Sequence, residues 1–155
     1  DDVKLDESTL MLVANIIYQP SYVSLETALS IYGLIPEAVY TVTSVSTRKT
    51  EAFETGVGRF VYRSIKREAY FGYKLSANNR HEMRLAEVEK AILDYLYLNP
   101  EYDNGVIFEQ WRLNIGVFNQ SVDRQKLERY VTLFESKTLS LRLTKLLRFI
   151  DHVEH

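Results

Sequence analysis

With 155 residues, 46% of them hydrophobic and 26% charged, the chain has the composition of a folded protein and not of a disordered tail. No apolar run is long enough to span a bilayer, and the lack of cysteine excludes disulfides and thiolate metal sites, so a cytoplasmic location is expected. A formal charge of −2 excludes nucleic-acid binding over the whole surface, although Lys137, Arg142, Lys145 and Arg148 follow one another with no acid between them.

Leu10, Val13, Ala14 and Ile17 repeat at helical spacing behind Ser8 and Thr9, which predicts a short helix closed by Pro20. A second helix is expected over residues 25–32. Ser24 is its N-cap, Leu25, Ala28, Leu29 and Tyr32 form its inward face, and Gly33 is its left-handed C-terminal cap. Beyond Pro36, residues 39–47 alternate β-branched and polar side chains, the pattern of a strand. Residues 52–55 and 59–65 read as two more strands around the Gly56-Val57-Gly58 turn, where glycine permits positive φ. Residues 70–75 and 82–86 form a further pair across the turn-rich stretch 76–80.

From Val88 the period is helical again. Val88, Ala91, Ile92 and Tyr95 line one face, Leu93, Leu96 and Tyr97 widen it, and Asn99-Pro100 ends the segment. A short helix is expected over 107–114 and another capped by Asp123. The last carries Leu139, Leu143, Leu146, Leu147 and Ile150 on one face. The expected fold is therefore α+β: one domain over 1–155, with a central, mostly antiparallel sheet flanked by helices over 20–98 and a helical segment over 105–150.

Few residues offer chemistry. His81, His152 and His155 lack metal-ligand spacing, and Gly56-Val57-Gly58 is not followed by the Gly-Lys-Ser/Thr of a phosphate loop. No serine sits in a Gly-x-Ser-x-Gly elbow. Glu82, Glu87, Glu89 and Asp94 crowd one strand-to-helix junction, where carboxylates could hold a divalent ion or simply complement a helix N-terminus. Arg48, Lys49, Arg59, Arg63, Lys66 and Arg67 alternate with Tyr62, Tyr70, Phe71 and Tyr73. Such a set either stacks bases between phosphate-binding cations or builds a sheet core edged by snorkelling arginines. Of these, Arg48, Arg63, Lys66 and Arg67 are the expected surface for an anion or a partner. No catalytic residue, metal or cofactor is expected.

One series of blocks is more specific than its periodicity. The stretch SYVSLETALSIYGLIPE (21–37) is followed by VYTVTS (39–44), Arg48, YRSIK (62–66), YFG (70–72) and AEVEKAILD (86–94). In this order the blocks resemble AbiEi-type antitoxins of bacterial abortive-infection toxin–antitoxin systems, which often have proline at the position of Val88. The resemblance covers roughly residues 20–98. It implies a two-part protein. An N-terminal winged helix binds the operon's own promoter, and a larger C-terminal part opposes a nucleotidyltransferase-like toxin. The residues before Leu10 are too few for a helix-turn-helix, so this chain corresponds to the second part and promoter DNA is expected to be read elsewhere. The alternatives from the residues alone are a metal-dependent nuclease-like enzyme built on Glu82, Glu87 and Glu89, and a nucleic-acid-binding accessory domain.

Overall fold

The computed structural model describes residues 5–36, 40–78 and 81–153. Helix α1 (Glu7–Ile17) starts one turn earlier than its apolar pattern because Asp6 caps it, accepting the Thr9 N–H at 2.7 Å. Strand β1 (Ser21–Val23) follows, then helix α2 (Leu25–Ile31). Gly33, at φ +78°, ends α2 as its sequence predicts. The Leu34 N–H returns to the Leu29 carbonyl and that of Gly33 to Ser30, which satisfies the orphan carbonyls of the last turn.

Five further strands complete the sheet: β2 (Thr41–Ser46), β3 (Glu51–Thr55), β4 (Gly58–Ser64), β5 (Tyr73–Asn78) and β6 (His81–Ala86). Four of them lie within a few residues of their expected places. Val39, Asn79 and Arg80 fall outside the described residues. The hairpin at Gly56-Val57 forms, but of its two glycines only Gly58 has a positive φ. The segment expected to open a strand at Tyr70 instead continues a 3₁₀ turn (Arg67–Ala69), and pairing begins at Tyr73.

The strand order is β3-β4-β2-β1-β6-β5. The sheet is mixed. The pairs β1–β2, β3–β4 and β5–β6 are antiparallel, whereas β2–β4 and β1–β6 are parallel. Each outer hairpin docks its second strand, not its first, against the centre, which makes β4 parallel to β2 and β6 parallel to β1. Turn chemistry specifies a hairpin but not which of its strands meets the sheet.

Helix α1 covers one face, where the Tyr62 hydroxyl donates to the Ala14 carbonyl. Beside it the Asn15 amide brackets the backbone of Arg84, donating to its carbonyl and accepting from its N–H. The other face carries α2 and helix α3 (Val88–Leu98). Four more helices build on α3: α4 (Gly105–Trp111), α5 (Ile115–Ser121), α6 (Arg124–Leu133) and α7 (Lys137–Val153). Asp123 caps α6 as expected, accepting from Gln125 and Lys126. The last helix runs past Ile150 to Val153, and α5 has too few apolar positions to stand out in the sequence.

Buried apolar residues from Met11 to Ile150 form one continuous cluster. No helix among the described residues is long and apolar enough to cross a membrane. Leu29 is fully buried, so Leu29→Ala is expected to lower unfolding free energy by about 2–5 kcal/mol in urea melts, the range for core cavities.

Candidate functional site: a buried polar cluster between the sheet and α3

Helix α3 is buried nearly all round, yet it carries Lys90 and Asp94 one turn apart, both completely buried. The Lys90 ammonium donates to Asp94 Oδ1 at 2.5 Å and to the Tyr22 hydroxyl at 2.7 Å. Asp94 Oδ2 accepts from the Tyr22 and Ser24 hydroxyls, each at 2.8 Å. Every strong polar atom of the cluster therefore has a partner, the condition under which buried charge is tolerated.

Three rings surround the ammonium. Nζ lies 4.7 Å from the centre of Phe71 and 4.8 Å from that of Phe134, close enough for their π faces to attract it, and 5.2 Å from the centre of Tyr22, which it meets at the hydroxyl edge. The lysine stem lies against Gly72, where an added Cβ would stand 2.9 Å from Lys90 Cγ. Gly72 also holds φ +76°, so both the space and the backbone there require glycine. Tyr70 and Tyr73 flank Tyr22, each 5.1 Å between ring centres. Burial pushes the Asp94 carboxyl up and Lys90 down; the ion pair works against both shifts, and the Ser24 and Tyr22 hydroxyls add to it at Asp94. Burial likewise raises Tyr22, and it takes Tyr70, whose hydroxyl has no partner among the described residues, to about 12.

This cluster revises the expected role of Ser24. It occupies the N-cap position of α2, but its hydroxyl makes no cap bond and is turned to Asp94. Strand β2 takes over the cap. Thr43 Oγ1 accepts the Thr27 N–H at 3.0 Å and donates to the Ser24 carbonyl at 2.6 Å. Thr27 Oγ1 in turn accepts the Thr43 N–H at 2.8 Å. Leu25 is held at φ +59° between them, a left-handed conformation that costs a non-glycine residue on the order of 1–3 kcal/mol.

The carboxylates at the α3 N-terminus meet a cation of the protein itself: Lys126 Nζ lies 2.6 Å from Glu87 and 3.8 Å from Glu89. Glu87 accepts from Lys126 and Tyr130, each at 2.6 Å, while Glu89 accepts the Asp123 N–H at 2.8 Å. Asp94 faces Lys90, and Glu82 is exposed. Among the described residues no group of three or more His, Cys, Asp or Glu is placed to share an ion. Of the acids of the nuclease-like alternative, Glu87 and Glu89 thus serve helix docking, while Glu82 faces solvent.

The expected anion surface divides in two. Arg63 Nη2 donates to the Leu98 carbonyl at 2.8 Å and so caps the C-terminus of α3. Arg48 is exposed, lies 4.1 Å over the Tyr18 ring and donates to the Gln19 carbonyl. Lys66 lies 6.0 Å from the Tyr97 ring, and Arg67 is exposed. Strands β2 and β4 run parallel, so Arg48, Lys66 and Arg67 all follow the same end of the sheet. The interleaved aromatics do not form a stacking platform with them. Tyr62 is buried under α1, and Tyr70, Phe71 and Tyr73 pack on the opposite face.

Sequence reasoning placed Asp94 among the carboxylates and did not connect it to Lys90, Tyr22 or Ser24. The signal available was a Lys–Asp pair at i, i+4 inside a mostly apolar helix, where an exposed pair would have sat on a polar face.

Two outcomes follow from these contacts. Lys90→Met leaves Asp94 buried without its cation and should cost about 3–5 kcal/mol, and Ser24→Ala should cost about 1.5–3 kcal/mol, above the roughly 1 kcal/mol of a lost cap. Urea denaturation of both variants checks this. Glu87 is subject to burial, which raises it, but the hydrogen bonds from Lys126 and Tyr130 outweigh burial and hold it below the usual carboxylate value. A depressed folded pKa stabilises above the unfolded value and is lost as pH falls through the folded one. Melting temperatures of wild type should therefore fall more steeply below about pH 4.5 than those of Glu87→Gln.

Compared with known proteins, the chain matches no protein-family model and no curated protein.

Proposed function

We propose that the chain is the effector part of an AbiEi-type antitoxin, which opposes a nucleotidyltransferase-like toxin in the cytoplasm. One observation carries the reading. The blocks that resemble the family are scattered over residues 20–98 in sequence, yet four of them meet at one point in space. Tyr22 and Ser24 come from the first block, Thr43 from the second, Phe71 and Gly72 from another, and Lys90 and Asp94 from the last. Their convergence supports reading the blocks as one structural unit and not as separate fragments. Arg63, from a fifth block, closes the helix that carries Lys90 and Asp94.

In this reading the buried cluster fixes the scaffold, and contact with a partner falls to exposed cations at the end of the sheet. Arg67 is exposed and Lys66 is half-buried beside Tyr97. Exposed charges contribute only about 0–1 kcal/mol to stability, so the charge of Arg67, and that of Lys66 where it reaches solvent, can serve an anionic partner. Arg63 is set apart by its bond to Leu98. Repression of the operon belongs to a winged helix, and this chain by itself is expected to bind promoter DNA weakly.

Co-expression with the toxin in a growth-arrest assay tests the proposal. The chain should restore growth. Lys66→Gln with Arg67→Gln should keep the melting temperature while weakening rescue, whereas Arg63→Gln should also lower stability by about 0.5–1.5 kcal/mol. Growth arrest that persists beside soluble, folded protein would rule out the antitoxin reading.

A further inference from the structure

We propose that residues 105–153 form a detachable helical cover, hinged on the 99–104 connection, whose departure uncovers the Lys90–Asp94 cluster. This holds independently of which partner the protein meets.

Topology makes the cover separable. Helices α4 to α7 are contiguous in sequence, and outside their own group they pack extensively only against α3. None of them adds a strand to the sheet, so their leaving breaks no ladder bond. Contiguous units of this kind open sub-globally at a lower free energy than the whole molecule.

The seam combines polar contacts with apolar packing that joins the main core. Its polar contacts include Lys126 and Tyr130 on Glu87, Lys126 and the Asp123 N–H on Glu89, Arg142 Nε on the Leu96 carbonyl at 3.1 Å, and the Asn114 N–H on the Leu34 carbonyl at 2.7 Å. Each of these groups is hydrated once the seam parts, so opening does not strand it. Aromatic contacts hold the cover closed: Phe71 on Tyr130 and Phe134, and Tyr95 stacked on Trp111 at 4.7 Å.

Lys90 reports the state of the cover. Of the three rings around its ammonium, Tyr22 and Phe71 belong to the core, and only Phe134 comes from the cover. Gly72, Tyr22 and Asp94 stay in place when the cover leaves. The ammonium then meets water through the space Phe134 filled, with its carboxylate partner still beside it.

Hydrogen exchange of the full chain, read by peptide mass, tests the opening, and acylation of the Lys90 amine by acetic anhydride tests the exposure. In Glu87→Gln, peptides across 105–153 should exchange at least about ten-fold faster than in wild type, while those of β2 and β4 are unchanged. Lys90 acylation should rise by a similar factor. Phe134→Leu, which keeps the Glu87 clamp, should raise Lys90 acylation as well and serves if Glu87→Gln does not fold. The proposal is overturned if cover and sheet exchange at one common rate in every variant, if the variants exchange like wild type, or if the cover quickens while Lys90 acylation stays flat.

Discussion

The ion pair between Lys90 and Asp94 sets the terms for the rest of the molecule. A lysine and an aspartate at zero exposure are costly unless every donor and acceptor finds a partner. Here the partners come from two separate parts of the chain: Tyr22 and Ser24, on and directly after β1, and Asp94 itself on α3. Shifting α3 against the sheet by one residue would break the bonds to Tyr22 and Ser24 together, while the Lys90–Asp94 pair would travel with the helix. The cluster therefore fixes the register of helix on sheet, which an apolar contact of similar area leaves adjustable. Gly72 is part of the same constraint, because any side chain there collides with the lysine stem.

Around that fixed point α3 acts as the axis of the structure. Its N-terminus presents Glu87 and Glu89, which complement the helix dipole and receive Lys126, Tyr130 and the Asp123 N–H of the helical segment. Its C-terminus exposes the Leu96 and Leu98 carbonyls, closed by Arg142 from one side and Arg63 from the other. Desolvation lowers the Arg142 pKa, while the charge of Asp103 acts to raise it. Acids at one end and guanidinium groups at the other thus tie sheet and C-terminal helices to a single element.

This arrangement separates two kinds of charged residue that look alike in sequence. Arg63 and Arg142 serve helix ends, whereas Lys66 and Arg67 lie beside the sheet with no such duty. The same division applies to the acids: Glu87 and Glu89 both meet the start of α6, whereas Asp94 faces the sheet. Under the proposed antitoxin function, the residues resembling the family are mainly those that build the scaffold, and the contact surface lies at its edge.

Local physics was legible in the sequence. The Gly33 cap, the Asp123 cap, the Gly56-Val57 hairpin and the buried faces of α2 and α3 all follow from spacing and residue type within a few positions. What lay beyond it was long-range. Strand β1 has three residues, too few for a pattern, and exists because β2 and β6 enclose it. Which hairpin strand meets the sheet centre is decided by docking, so the parallel pairs could not be read from turns. Ser24 has the chemistry of an N-cap, and only the approach of Asp94 from seventy residues away turns its hydroxyl elsewhere and leaves the cap to Thr43. A sequence window records which groups can pair with their neighbours. Tertiary packing decides which pairing prevails, because burial makes an unpaired carboxylate costlier than a displaced cap.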